Sequence, residues 1–298
     1  MMLAAVTGAN GQVGASLLAR LQGEQDIHCA ALIRRPEPLP ADEIVADWLA
    51  SERAKEVLSQ ADCVVHLAGA LAPDGGDYEA ANTAPCQIVA DAVKDARRAA
   101  GIIFLSYVGA SEGSENAYLW TKAVCERMVQ AASDRAIVFR CTHIIGPPSL
   151  PGPTAQHLVS KDGAPVNVLG TGRQIVAPIF VGDVVEAIVA ALRRPKPGTY
   201  DLAGPDTMTM DELVQALNRG REVRVRHLQR WIAHVAKRFT PRLSGPLIDV
   251  MCADSTGDSS QAIGAFGLEP TSISRAWQSP TTDSACALRL ARDRIDEP

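Results

Sequence analysis

Aromatic residues are scarce in this 298-residue chain, at 4%. Neither positive nor negative charge is in large excess, since the formal net charge is only −5. A core must therefore be built mainly from Ala, Val, Leu and Ile. The negative net charge argues against a nucleic-acid-binding protein, although it leaves local basic patches open. The 47% hydrophobic and 21% charged fractions are those of a globular protein rather than a disordered one.

Long hydrophobic runs and targeting signals are also missing. No window of about 18 uncharged apolar residues occurs, so we expect no integral membrane segment. The start, MMLAAVTGAN, leads directly into a glycine motif and shows no secretory pattern. The seven cysteines form no CxxC pair, which predicts no structural zinc and no bound metal. Scattered thiols in apolar segments indicate reduced core cysteines, and hence a cytoplasmic location.

Short apolar segments alternate with helical patterns through the first half of the chain. The predicted strands are residues 2–7, 28–33, 44–46, 63–67, 102–106 and 136–141. The predicted helices between them are residues 12–21, 51–59, 78–100 (starting near Pro85) and 118–132. Continuous apolar strands between helices predict an α/β fold, with a Rossmann-type doubly wound parallel sheet covered on both faces.

The pattern changes after residue 146. Residues 146–163 are rich in proline and are predicted to form a loop. Short strands are predicted at 166–169, 177–181 and 199–202, with helices at 183–194, where Asp183 is the expected cap, and at 211–218. We therefore divide the chain into a first domain, 1–146, and a smaller C-terminal lobe, 147–298, of which 178–192 returns to the sheet.

The most specific motif is TGxxGxxG, placed between the first strand and the first helix. Its residues are Thr7, Gly8, Asn10, Gly11, Gln12, Val13 and Gly14. Glycine lets the backbone turn tightly and approach a pyrophosphate, and the helix N-terminus offers N–H groups and the positive end of its dipole. The motif predicts a dinucleotide site; a glycine-rich turn without a ligand is the alternative.

This spacing resembles that of the short-chain dehydrogenase/reductase superfamily, and later segments resemble its extended and atypical branch. They are VVHLAG at 64–69, YLWTK at 118–122, RCTHIIG at 140–146, PIFVGDV at 178–184 and YDLAGP at 200–205. PRLS at 241–244 and GLEP at 267–270 are similar to the group that includes the NAD(P)H-binding accessory subunit of respiratory complex I. The resemblance implies that 1–146 binds NAD(P) and that the lobe mostly binds substrate.

The resemblance also implies further cofactor contacts. They are Asp47 and Trp48 near the adenine, Leu67, Ala68 and Gly69 along the adenosine, Asn82 at a helix start, and Thr142 and His143 near the nicotinamide. Arg34 and Arg35 stand where NAD-preferring members place an acid, and a guanidinium can pair with a 2′-phosphate. We expect NADP(H) to be favoured over NAD(H); two solvated arginines at a strand end are the alternative.

Tyr118 and Lys122 are four residues apart and so share one face of a helix. A neighbouring ammonium favours the phenolate and eases proton exchange near neutral pH. The resemblance implies that Tyr118 is the general acid/base and that Lys122 also holds the nicotinamide ribose. The Ser or Thr usual in active members aligns with Val108; Ser106 or Ser111 could replace it, and we take Ser106 as the candidate catalytic hydroxyl. Candidate substrate contacts are Ser111, His143 and Arg173.

A basic segment follows residue 218. Eight Lys or Arg residues lie between 219 and 242, opposed only by Glu222. Apolar residues at helical spacing, Leu228, Trp231, Ile232, Val235 and Phe239, predict a basic amphipathic helix within 226–239. Such a helix is compatible with peripheral contact with an anionic membrane, an acidic partner, a cap on the substrate pocket, or burial of its apolar stripe in the lobe.

Two functions remain open from the sequence. The first is an NAD(P)-dependent oxidoreductase or epimerase acting on a small molecule, with hydride transfer at a carbonyl or hydroxyl. The second is a non-catalytic NAD(P)H-binding structural or sensing protein, which the missing hydroxyl at Val108 favours. Ala-rich helical faces within 84–100 and 118–132 are compatible with a homodimer.

Overall fold

A parallel β-sheet forms the centre of the computed structural model, which describes residues 1–96, 100–149, 152–161, 163–218, 223–238, 240 and 243–278. The strands of this part of the chain are β1 (Met2–Thr7), β2 (Ile27–Leu32), β3 (Glu43–Val45), β4 (Cys63–His66), β5 (Gly101–Tyr107), β6 (Ala136–Cys141), β7 (Ile144–Ile145), β8 (Val166–Leu169), β9 (Ile175–Val176), β10 (Ile179–Phe180), β11 (Gly198–Leu202), β12 (Met208–Thr209) and β13 (Val225–Leu228). Seven of them form the main sheet in the order β11-β6-β5-β4-β1-β2-β3.

Helices cover both faces of this sheet. The α-helices of the described residues are α1 (Gln12–Leu21), α2 (Glu52–Gln60), α3 (Ala84–Lys94), α4 (Ala117–Ala132), α5 (Gly152–Leu158), α6 (Val181–Arg193), α7 (Met210–Leu217), α8 (Arg230–Ala236), α9 (Gly245–Cys252), α10 (Ser260–Phe266) and α11 (Ile273–Gln278). One core cluster joins the sheet to α1, α6 and α10, and a second joins it to α2, α3 and α4. The doubly wound Rossmann-type fold is therefore confirmed.

Side chains alternate between the two clusters along each strand, as the period of two requires. Ala4 and Val6 of β1 pack with the first cluster, whereas Ala5 packs with the second. Small side chains at the centre let the helices lie close to the sheet, which suits a chain so poor in aromatics. Five of the cysteines, Cys29, Cys63, Cys86, Cys125 and Cys141, are buried free thiols, and Cys252 is half-buried.

The rest of the lobe has its own small core, made by α5, α7, α11 and short strands. Strand β13 pairs in parallel with β8, and β12 pairs antiparallel with β9. Segment 178–192 contributes α6 to the main sheet, and β11 joins that sheet as its edge strand beside β6. The division at residue 146 stays a prediction. No helix in the described ranges combines the length and apolar character needed to span a bilayer.

Four local predictions were wrong. The proline-rich segment contains α5, because Pro153 falls in its first turn, where proline is tolerated. The helix predicted for 78–100 begins near Pro85 as expected, as α3, but it ends at Lys94, and a π-helical turn, Glu79–Thr83, precedes it. Helix α6 begins after Phe180, and Asp183 instead accepts hydrogen bonds from the Thr271 N–H and hydroxyl at 2.7 and 2.9 Å.

The fourth correction concerns the basic amphipathic helix. Residues 225–228 form β13 rather than helix, because they pair with β8 over four residues. Helix α8 is therefore only seven residues long. Phe239 and several of the cations, Arg219, Arg221 and Arg242, lie outside the described residues, as does Cys286.

Candidate active site

The glycine turn lies against the end of the neighbouring strand. Gly8 has φ +67, and a Cβ there would stand 2.7 Å from the Ala68 nitrogen. The Gly11 N–H donates to the Gly8 carbonyl at 2.9 Å, which closes the turn before α1. Gly11, at the N-cap of α1, has no side chain to cap the helix. Only glycine fits at position 8, so close to Ala68, and the N-terminus of α1 beside it suits a pyrophosphate.

A buried polar pair supports the turn from below. The Thr7 hydroxyl and His66 Nδ1 are 2.8 Å apart, and the Thr7 oxygen also accepts from the Ala68 N–H at 3.4 Å. The His66 ring stacks on Phe104 with centroids 5.6 Å apart. Burial and the nearby Lys122 ammonium lower the pKa of His66 to about 3, so the ring is neutral. Thr7 therefore positions the strand ends instead of lying free for a ligand.

Gly69, Asn82 and Lys122 meet at the carboxyl edge of the sheet. Gly69 has φ +158, and a Cβ there would lie 2.7 Å from Asn82 Oδ1 and 3.5 Å from Lys122 Nζ. The Asn82 side chain is fixed, since Oδ1 accepts from the Ala70 N–H at 2.8 Å and Nδ2 donates to Thr121 at 3.2 Å. Gly69 is itself exposed. This narrow edge is open to a ligand that approaches the backbone closely.

Lys122 is held by its neighbours rather than by an acid. Its ammonium donates to the Leu105 carbonyl at 2.8 Å and lies 4.8 Å from the centroid of the Phe104 ring. Lys122 is 8% exposed, and burial lowers its pKa from the usual value. The side chain therefore presents a desolvated cation beside Gly69.

Tyr118 lies one turn earlier on the same face of α4. The Asn116 side chain caps this helix by accepting from the N–H groups of Tyr118 and Leu119 at 3.0 and 3.2 Å. Lys122 Nζ is 5.9 Å from the Tyr118 ring centroid. Burial nevertheless raises the pKa of Tyr118 above its ordinary value. The expectation that the ammonium would favour the phenolate is therefore corrected: desolvation dominates, and the phenol stays protonated.

Ser106 does not reach the Tyr118 side of the strand. Its hydroxyl donates to Glu126 at 2.5 Å, and Arg140 binds the same buried carboxylate at 2.9 and 2.5 Å. Successive residues of a strand point to opposite faces, so Tyr107 takes the other side. The structure therefore removes Ser106 from the candidate catalytic residues and places it in a structural cluster.

Val108 occupies the position expected for the usual hydroxyl. It is buried, and its N–H donates to the Cys141 carbonyl at 3.1 Å. The hydroxyls near Tyr118 come from elsewhere. The Tyr107 ring packs edge-on to Tyr118 with centroids 5.7 Å apart, and its hydroxyl donates to Ser255 at 2.9 Å. Sequence reasoning missed both, because Ser255 belongs to the distant lobe and no motif marks it.

His143 lies beside Tyr107, and the side chains of Tyr107, Ser255 and His143 together form a polar wall next to Tyr118. Its Nδ1 lies 3.5 Å from the Tyr107 hydroxyl, and its Nε2 is buried without a hydrogen-bond partner among the described residues. Burial lowers the pKa of His143 to about 4, so it is neutral near pH 7. The adjacent Thr142 hydroxyl donates to the Ala177 carbonyl at 2.5 Å, which makes its side chain structural.

Helix α9 of the lobe covers the tyrosine. Val250 packs in one cluster with Tyr118 and Tyr78. The Tyr78 hydroxyl donates to the Leu71 carbonyl at 2.9 Å and lies 2.7 Å from the hydroxyl of Ser244, which caps α9. The lobe thus closes the site from above, and Tyr78 and Ser244 also went unnoticed in the sequence.

The adenosine side is more open. Arg34 and Arg35 are exposed just after β2, and Asn10 of the glycine turn donates to Glu37 at 3.1 Å. Glu37 was missed by sequence reasoning, although it brings a carboxylate into the loop that carries both arginines. Asp47 is exposed in a left-handed conformation, with φ 49.

Other predicted residues are placed less directly. Trp48 is 2% exposed and packs in the second core cluster, so its ring does not line the site. Val13 is buried in the first core cluster, and the partly buried Leu67 packs against that cluster. Ser111 is exposed and accepts from the Gly113 N–H at 3.2 Å, and Arg173 is exposed in the loop before β9. Among the described residues, no contact joins Ser111 or Arg173 to Tyr118.

A separate cavity of about 370 Å³ opens at the opposite end of the sheet. It is lined by Met1, Leu18, Ile27, His28 and Asp42 among others, at the amino ends of β1 and β2. Ligands of open α/β sheets bind at the carboxyl ends of the strands. This cavity is therefore not the candidate site. No cluster of three or more His, Cys, Asp or Glu in the described ranges could hold a metal ion.

The fold and the site define a class: a doubly wound dinucleotide-binding protein that carries a Tyr-Lys pair on the helix after its fifth strand. The NAD dependent epimerase/dehydratase family matches residues 4–203. The chain belongs to that family, within the extended branch of the short-chain dehydrogenase/reductase superfamily.

Solved structures with the same fold include several epimerases. UDP-glucuronic acid 4-epimerase from Bacillus cereus, in complex with UDP-glucuronic acid and NAD, has a TM-score of 0.73 and 18% identity over 97% of this chain and 100% of that one. UDP-glucose 4-epimerase from Thermotoga maritima has a TM-score of 0.69 and 16% identity over 99% and 100%. The Bordetella bronchiseptica enzyme WbmH, in complex with NAD⁺, has a TM-score of 0.68 and 20% identity over 98% and 99%.

A curated relative is similar to part of the chain. It is the mitochondrial NADH dehydrogenase [ubiquinone] 1 alpha subcomplex subunit 9 of Arabidopsis thaliana, 30% identical over 167 residues. The match covers 55% of this chain and 41% of that protein. This weak similarity agrees with the resemblance to that group that the sequence indicated.

Proposed function

We propose that this protein is an NAD(P)-dependent epimerase or oxidoreductase that transfers hydride at a secondary hydroxyl or carbonyl of a small molecule. One observation carries the proposal: Gly8 abuts Ala68, and the adjoining Gly69 abuts Asn82 and Lys122, whose helix also bears Tyr118. The dinucleotide-binding turn and the proton-transfer pair therefore belong to one continuous edge.

The residues present fit a dinucleotide. Gly8 and Gly69 leave backbone surface that a Cβ would obstruct, and the N-terminus of α1 suits the pyrophosphate. A bound nicotinamide would supply hydride exchange at its ring carbon. The Lys122 ammonium, oriented by the Leu105 carbonyl, would bind the ribose hydroxyls.

Tyr118 would move the proton at the substrate oxygen. Its raised pKa keeps the phenol protonated, which suits donation to a carbonyl that is being reduced. Tyr107, Ser255 and His143 form the polar wall next to it and supply groups that can hydrogen-bond a substrate hydroxyl. A sugar nucleotide is the substrate class we propose to test first, since the structural neighbours named above include UDP-sugar epimerases.

The test uses the purified full chain with UDP-glucose and UDP-glucuronic acid, with NAD⁺ or NADP⁺ present. Epimer formation is followed by NMR and net cofactor reduction by absorbance. Tyr118→Phe should abolish turnover while cofactor affinity stays within about twofold, since the lost group acts only on the proton. Leu119→Met, at the neighbouring position, is the matched control. Unchanged turnover in Tyr118→Phe would overturn the assignment.

A non-catalytic NAD(P)H-binding role is the second candidate. Val108 in place of a hydroxyl, and the engagement of Ser106 by Glu126, favour it. Tight cofactor binding with no turnover across sugar nucleotides and simple ketones would select this role. If the protein bound neither NAD(H) nor NADP(H), both candidate functions would be excluded.

Three further proposals concern the cofactor, the oligomeric state and the location. We propose NADP(H) as the favoured cofactor because Arg34 and Arg35 are exposed beside the adenosine side. We propose a homodimer through α3 and α4, which pack on each other, and a cytoplasmic location consistent with five buried free thiols. Sedimentation analysis tests the dimer, and fractionation of cells tests the location.

A further inference from the structure

Helix α8 carries an unusual concentration of exposed apolar side chains. Trp231, Ile232 and Val235 are 67%, 36% and 56% exposed, and they make up three of the seven large apolar residues exposed in the described ranges. The opposite side of the helix is used for packing, since Ala233 is fully buried and α8 contacts α9. The apolar stripe predicted from the sequence is therefore turned outward rather than into the lobe.

Exposed cations precede and follow this apolar stripe along the chain. Arg224 and Arg226 are exposed on the segment that leads into α8, and Lys237 and Arg238 are exposed at its end. None of these four forms an ion pair with another described residue. Nearby acids are already engaged: Asp249 binds Arg230 and His234 at 2.8 and 3.0 Å, and Asp211 binds His227 at 2.9 Å.

We propose that this surface, the Trp231 face (Trp231, Ile232, Val235, Arg226 and Arg238), binds the surface of an anionic lipid bilayer. An interfacial helix inserts Trp and aliphatic side chains to the depth of the headgroups, while flanking Arg and Lys bind anionic lipid. An exposed indole, flanked in the chain by cations that pair with no acid in the described ranges, has both properties. The chain as a whole is acidic, with a net charge of −5, so we expect the attraction to depend on the local cations of this face.

The chemistry favours a bilayer over a folded partner. The exposed apolar residues, from Trp231 to Val235, span little more than one helical turn. Long Arg side chains that pair with no described acid adapt to mobile headgroups at little cost. The binding is peripheral, because the described helices cannot span a bilayer. This inference is independent of the proposed catalytic role.

The test is vesicle flotation of the full chain at low salt, with phosphatidylcholine vesicles and with vesicles that also contain phosphatidylglycerol. We expect binding only to the anionic vesicles, with a blue shift of the tryptophan emission that Trp231→Ser removes, and release by high salt. Trp231→Ser combined with Val235→Ser should abolish binding. Arg226→Glu combined with Arg238→Glu should weaken the partition at least about tenfold, because each cation near the surface contributes about 1 kcal/mol.

Matched controls separate this face from general surface properties. Ile263→Ser removes an exposed apolar residue on α10, and Lys196→Glu reverses an exposed cation after α6; both should bind vesicles like the parent. Circular dichroism confirms that each variant is folded. Absence of binding to anionic vesicles, equal binding to neutral ones, or no effect of the α8 substitutions would overturn the proposal. So would a dimer in solution that Trp231→Ser and Val235→Ser dissociate, because a second copy would then cover this face.

Discussion

The Ser106 hydroxyl donates a hydrogen bond to the Glu126 carboxylate at 2.5 Å, and the Arg140 guanidinium donates to both oxygens of the same carboxylate. This contact ties β5 to α4 and to β6. Ser106, which the sequence suggested as a catalytic hydroxyl, therefore has a structural role. The same contact fixes the position of α4, the helix that carries Tyr118 and Lys122, on the sheet.

Replacing Ser106 should therefore cost stability rather than chemistry. Ser106→Ala removes a charge-assisted hydrogen bond from a buried carboxylate, which we expect to lower the free energy of unfolding by about 1–3 kcal/mol. Urea unfolding measures this loss. The control, Ser59→Ala on the exposed face of α2, should change stability by less than about 0.5 kcal/mol. Full stability of Ser106→Ala would contradict the structural role.

Stability should fall in mild acid because of the two buried histidines. Burial lowers the pKa of His66 to about 3 and of His143 to about 4, from the ordinary value of 6.5. Below pH 6.5 the unfolded chain therefore binds protons that the folded chain excludes. The stabilisation is complete above pH 6.5 and is lost as the pH falls toward about 4, at up to about 1.4 kcal/mol per pH unit for each histidine.

Thermal unfolding from pH 4.5 to 7.5 measures this dependence. His143→Asn should flatten the fall, although it also lowers stability at neutral pH by removing buried contacts; the slope, rather than the absolute value, is the readout. The exposed His157 provides the control, since His157→Asn should leave the slope unchanged. An equal slope in all three proteins would contradict the assignment.

Local patterns in the sequence predicted the sheet, the glycine turn and the Tyr-Lys helix, because those features depend on short-range periodicity and on glycine geometry. The polar wall could not be predicted in the same way. Tyr107 and Ser255 are 148 positions apart, and only the docking of the lobe brings them together. The orientation of α8 was equally hidden, since an amphipathic pattern does not reveal whether its apolar side meets a core or faces outward.

Gly69 should tolerate no side chain. In Gly69→Ala the Cβ would lie 2.7 Å from Asn82 Oδ1, in a conformation with φ +158 that alanine rarely adopts. The substitution should displace Asn82 and Lys122 and weaken NAD(P)H binding by at least about tenfold, since a shifted contact of this kind costs about 1–3 kcal/mol. Fluorescence titration measures the affinity.

The control is Gly23→Ala, in a turn where an added Cβ meets nothing within 4 Å. It should bind cofactor like the parent. Equal affinity of the Gly69 and Gly23 variants would argue that this edge of the sheet is not the cofactor site.

The loop after β2 should decide between the two nicotinamide cofactors. Arg34→Ala should weaken NADPH binding about tenfold and leave NADH nearly unchanged, because a guanidinium pairs with the 2′-phosphate alone. Glu37→Gln should instead strengthen NADPH binding, because it removes a carboxylate next to Asn10 that repels the 2′-phosphate. Titration with both cofactors measures the ratio, with Lys196→Ala as the control. An equal loss for both cofactors in Arg34→Ala would exclude the phosphate contact.

Val108 provides the sharpest distinction between an enzyme and a non-catalytic binding protein. Val108→Ser places a hydroxyl where active relatives are expected to have one, in a position where the backbone already bonds to Cys141. Val108→Ala is the matched control, because it removes the same methyl groups and adds no hydroxyl. If Tyr118 and Lys122 are otherwise competent, the serine variant should exceed the alanine variant in turnover by about 10²-fold, the contribution of one hydrogen-bond donor to a developing oxyanion. Adding Tyr118→Phe to Val108→Ser should abolish that gain. Equal, negligible turnover of the two Val108 variants, with cofactor still bound, would instead assign the site to binding alone.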